Sequence, residues 1–166
     1  MFTLKPISHD SVSGALARAE RYRLLNEPGE AESICRDILA VEPDHQPALI
    51  SLILSLTDQI AHDGHAFGNA LTLVDQLEAP YDRAYYAGIA WERRAKARHH
   101  GGGQGAHNYA YEWIVRALEL FEEAEALRTP GNDDAVLRWN ACVRYLGRHK
   151  ELARRSEDIP EPIVSE

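Results

Sequence analysis

Three observations make this sequence read as an all-α protein. No segment alternates apolar and polar residues with period two for long enough to suggest a strand. Apolar residues recur at helical spacing throughout, as in Ala31, Ile34, Cys35, Ile38 and Leu39. Proline and glycine clusters separate these stripes at 26–29, 42–47, 62–64, 79–80, 101–105 and 129–133. At 166 residues the chain suits one domain with a core of its own.

The first helix is expected near 11–25, with Ala19 and Tyr22 on its buried side, and the second near 29–42. A third, near 46–60, carries Leu49, Leu52, Ile53, Leu56 and Ile60, with Pro47 suited to its first turn. The fourth, near 66–78, shows Phe67, Ala70, Leu71, Val74 and Leu77. Two longer helices follow near 81–98 and 107–127, the latter with Ile114, Ala117, Leu118, Phe121 and Ala124. A seventh near 133–146 is introduced by Asn132 or Asp133 as cap. Residues 1–146 form the expected domain, and 147–166 an expected frayed tail.

Composition narrows the function classes. A net charge of −8 argues against nucleic-acid binding and against docking on anionic lipid. The longest apolar run, ALISLILSL at 48–56, is far shorter than a membrane span, and the N-terminus has no signal-peptide pattern. Two cysteines, Cys35 and Cys142, both in helical stripes, predict free thiols in a cytoplasmic setting. Ser, Cys and His show no nucleophile–base spacing, so no enzyme activity is expected.

The helices also repeat. In NEPGEAESICRDILAVEPDH, at 26–45, the small Ala31 is followed by Cys35, Ile38 and the terminating Pro43. The helix before it places Ala19 three residues ahead of Tyr22; AYYAGIAW at 84–91 repeats this with Gly88 and Trp91. ALELFEEA at 117–124 then supplies Ala117, Phe121 and Ala124. This pattern resembles the tetratricopeptide repeat (TPR) family. Equivalent places in successive first helices are Ala19, Ile53, Gly88 and Asn140, spaced by 34, 35 and 52 against a family period of about 34. The resemblance implies a right-handed α-solenoid of antiparallel helical hairpins: three repeats plus a final helix. The second repeat is degenerate, with Ile53 where a small residue is expected.

Register also locates inserted chain. Gly88 to Ala117 spans 29 residues where Ala19 to Ala31 spans 12, an excess of 17 inside the third repeat, about 95–108. The second repeat carries an excess of five near 60–66. The simplest reading of the larger insertion is two helices prolonged by about two turns and joined by GGGQG at 101–105.

The resemblance further implies a concave groove lined by first helices, here Leu16, Glu20, Leu24, Ile50, Leu54, Asp58, Tyr85, Ile89, Glu92 and Arg93. The chaperone-tail carboxylate clamp of that family needs Lys, Asn and Arg. This chain has Leu16, Glu20, Ser51, Asp82 and Tyr86 instead, so no such clamp is expected. An apolar strip with acidic margins suits a protein or peptide partner such as a basic amphipathic helix, or a second copy in a homodimer. The long hairpin adds a second candidate surface of Arg94, Lys96, Arg98 and Tyr109, since seven of thirteen aromatics fall between Tyr81 and Trp113.

A metal site is the alternative. His62, Asp63 and His65 on one inserted turn could meet His99, His100 and His107 on the other, and imidazole with carboxylate suits zinc, copper or nickel. Adjacent His99 and His100 point apart on a helix, and glycine loops do not preorganise ligands, so no cofactor is favoured. The expectation is a non-catalytic scaffold acting through protein contacts.

Overall fold

A computed structural model describes residues 2–152. Among them lie seven α-helices, two short 3-10 turns and no strand: α1 (Val12–Leu24), α2 (Pro28–Val41), α3 (Gln46–Gln59), α4 (Ala66–Val74), α5 (Pro80–Gly101), α6 (Ala106–Leu127) and α7 (Asp134–Arg148). The turns are His9–Ser11 ahead of α1 and Lys150–Leu152 after α7.

Local chemistry accounts for the boundaries. Prolines stand in the first turns of α2, α3 and α5, where a missing N–H leaves no partner wanting. His45 caps α3 by accepting from the Ala48 amide at 3.1 Å. At the start of α7 it is Asn132 whose side chain accepts from the Asp134 amide, at 3.1 Å. Helix α4 stops at Val74 rather than near 78, because Gln76 and Leu77 bond back to Leu73 and Val74 in tighter i→i+3 geometry. The 102–105 link turns through Gly102, Gly103 and Gly105 at φ 66°, 93° and 68°, where a side chain would be strained.

The core has two main clusters. One gathers Ala19, Ala31, Cys35, Leu49, Leu52, Ile53, Leu56, Ala70, Val74 and Leu77 from α1 to α4 and the residues just after it. The other gathers Ile89, Ala95, Ala110, Ile114, Ala117, Phe121, Cys142, Tyr145 and Leu152. Tyr86 packs on both and joins them. Helix α3 sits amid α1, α2, α4 and α5, which explains why it is apolar on both sides. Helix α6 lies between α5 and α7.

Residues 147–152, expected in the tail, instead finish α7 and form a 3-10 turn whose Leu152 is only 1% exposed against the second core. An apolar residue just beyond a helix end has pulled the chain back onto the body. The remainder of the expected tail, 153–166, lies outside the described residues.

Candidate functional site

Three neighbourhoods contain the residues singled out by sequence. The first joins α1, α3 and α5. Arg23 of α1 donates to Asp58 of α3 at 2.9 Å, and Arg93 of α5 donates to the other oxygen of the same carboxylate. Arg93 also reaches the Thr57 hydroxyl at 2.6 Å and the Leu54 carbonyl at 3.2 Å. Burial lowers the Arg93 pKa, and Asp58 opposes that shift. On the same three helices Leu16, Ile50, Leu54 and Tyr85 are half-buried, while Glu20 and Leu24 are exposed.

Two residues expected in the groove are elsewhere. Ile89 is 2% exposed and belongs to the second core. Glu92 is 1% exposed, held by Lys96 at 2.5 Å and by Arg138 of α7 at 3.3 Å. Burial alone would lower the Arg138 pKa, but Glu92 and the Tyr85 hydroxyl outweigh it and raise the value. A buried carboxylate with two cationic partners is a strut between α5 and α7, not a surface contact. Arg93 is likewise engaged in the ladder rather than free.

The second neighbourhood flanks α5 on its α4 side. Here the Arg94 guanidinium lies 4.1 Å from the Phe67 ring centre and 4.1 Å from that of Trp113. With Asp63, Gly64 and Arg98 these side chains line a cleft of about 260 Å³. Lys96 and Arg98 are also engaged, Lys96 with Glu92 and Arg98 with the Gln104 carbonyl at 2.8 Å. Of the four hairpin residues expected to meet a partner, Tyr109 alone is markedly exposed, at 50%. Arg94 reads as surface in sequence because its ring partners Phe67 and Trp113 come from other helices.

The third neighbourhood lies at the C-terminal end of α5. His99 has the His100, His107 and His149 rings around it, at centroid distances of 5.6, 5.7 and 4.8 Å. Its Nδ1 is 2.5 Å from the Tyr145 hydroxyl, and its Nε2 is 3.3 Å from a Glu151 carboxylate oxygen. That oxygen is also 3.0 Å from His149 Nδ1. His99, His149 and Glu151 each offer one donor atom within 4.8 Å of the others. Among the described residues this metal-capable group excludes His62 and His65, which are exposed on the α3–α4 turn, and also His100 and His107. Sequence reasoning missed His149 and Glu151 because both fell in the expected tail; buried Leu152 is the signal that would have retained them.

Both cysteines are buried and unpaired. Burial, and then Glu92, push the Cys142 thiol up to about 12, and burial also raises Cys35. Neither is an activated nucleophile. No helix among the described residues is long and apolar enough to cross a membrane.

Set against protein-family models, curated proteins and solved structures, the chain matches none.

Proposed function

We propose that this chain is a non-catalytic protein-interaction module: a TPR-type right-handed solenoid whose first helices α1, α3 and α5 form a receiving groove. The ion-pair ladder Arg23–Asp58–Arg93 carries this reading, because it ties those three helices side by side along one surface. The packing of α1 on α3, α3 on α5, and each intervening helix on both its neighbours is what stacked hairpins require. Burial of the small register positions Ala19, Ala31, Gly88 and Ala117 supports the same plan.

Half-buried Leu16, Ile50, Leu54 and Tyr85 on the same helices give an apolar strip, with the exposed Glu20 carboxylate at its edge. A basic amphipathic helix fits, laying its apolar side on the strip. Free buried thiols suit a reducing compartment such as the cytoplasm. The test is affinity capture from extract of the native host with wild type, Glu20→Arg and Leu54→Glu, each checked for helical content and mass in solution. Loss of a shared partner by both folded variants supports the groove. Retention by both contradicts it, as does a wild-type dimer that Leu54→Glu converts to monomer.

A further inference from the structure

The histidine-rich end of α5 shares no residue with the proposed groove. We propose that His99, His149 and Glu151 form a binding site for a divalent transition metal of the zinc class, which clips the long hairpin to the chain following α7. The donors are two imidazoles and one carboxylate, a set suited to zinc rather than to calcium or magnesium, which prefer oxygen ligands. Bonds of about 2.0–2.1 Å in tetrahedral geometry separate neighbouring ligand atoms by roughly 3.3 Å. The two nitrogen–oxygen separations here are 3.0 and 3.3 Å, and all three donors lie within 4.8 Å of one another. Three protein ligands leave the fourth position for water.

The donors are preorganised, and none is on the glycine loop. His99 belongs to the last turns of α5, with its ring against Tyr145 and His149. His149 is the C-cap of α7, its amide bonded to the Tyr145 carbonyl at 3.0 Å. Glu151 is presented by a turn anchored through buried Leu152. When His99 Nδ1–H donates to the Tyr145 oxygen, Nε2 keeps its lone pair facing Glu151, the outer-shell arrangement that orients metal-binding imidazoles. Burial, and then His149, lower the His99 pKa. The Glu151 backbone amide, and then His149, hold the carboxyl below its usual range.

The experiment uses the untagged full chain, stripped with EDTA and titrated with zinc against a chromogenic chelator, with metal content measured after gel filtration. One zinc per chain is expected, together with a zinc-dependent rise in melting temperature. His99→Ala and His149→Ala should abolish both, and Glu151→Gln, at an exposed position, should lower affinity without altering the fold. Tyr145→Phe keeps the ring and should weaken binding about tenfold. His62→Ala and His65→Ala should bind as wild type does. The proposal is overturned if the stripped chain holds no more zinc than the His99→Ala, His149→Ala double variant. It is equally overturned if binding survives Glu151→Gln and His149→Ala unchanged but is lost with His62→Ala.

Discussion

The first helical pair, α1 and α2, and the long pair, α5 and α6, solve different packing problems. Helices α1 and α2 span 13 and 14 residues, whereas α5 and α6 each span 22. In the short pair, Ala19 meets a core of Ala31 and Cys35, all fully buried. In the long pair the closest approach falls at Gly88, where a Cβ would lie 2.6 Å from the Phe121 ring. Beyond that point the long seam continues with buried Ala95, Ala106 and Ala110. Its two flanks are clamped, by the Phe67–Arg94–Trp113 stack on one side and by Lys96, His99 and Tyr145 on the other. The extra length is therefore a braced extension of the body, and its bracing residues are those that looked most like surface.

Substitutions can break or refine that contrast. The largest effect is expected at Gly88. Gly88→Ala should lower stability by about 1–3 kcal/mol in urea unfolding, overpacking against Phe121 outweighing the better helix propensity of alanine. The reverse change in the short pair, Ala19→Gly, should cost about 1 kcal/mol through propensity. Equal tolerance at both positions would mean the two seams pack alike.

Next in size are the braces. Arg94→Ala removes a guanidinium between two rings and should cost about 1 kcal/mol in the same assay, with raised protease sensitivity near 60–67. Asp58→Asn cuts the ladder between α1, α3 and α5. Its two arginine partners are about a quarter exposed, so the expected loss is also about 1 kcal/mol or less. The smallest effect is at Ser51. Its hydroxyl is buried with only the weakly bonding Cys35 thiol beside it, so Ser51→Ala should leave the melting temperature unchanged or slightly raised.

Much of this architecture was legible in sequence for a physical reason. Helix period and punctuation are local signals, and the seven helices lie within a few residues of their expected places. The buried stripes of the first two helices were equally local: Ala19, Ala31, Cys35 and Ile38 are all completely buried. The failures were non-local. Glu92 reads as a solvent-facing carboxylate until Arg138, 46 residues later, packs against it. Arg94 reads as a free cation until Phe67 arrives from α4. Likewise His149 and Glu151 acquire meaning only because Leu152 folds back beneath them.

Site-specific photo-crosslinking in native-host extract tests the groove most directly. A photoreactive residue at half-buried Ile50 of α3 is compared with one at exposed Glu123 of α6. The expected result is a discrete crosslinked partner from position 50 that Glu20→Arg diminishes, with none from position 123. Identical crosslinks from both positions, or none from position 50 while position 123 captures a partner, would contradict a groove formed by α1, α3 and α5.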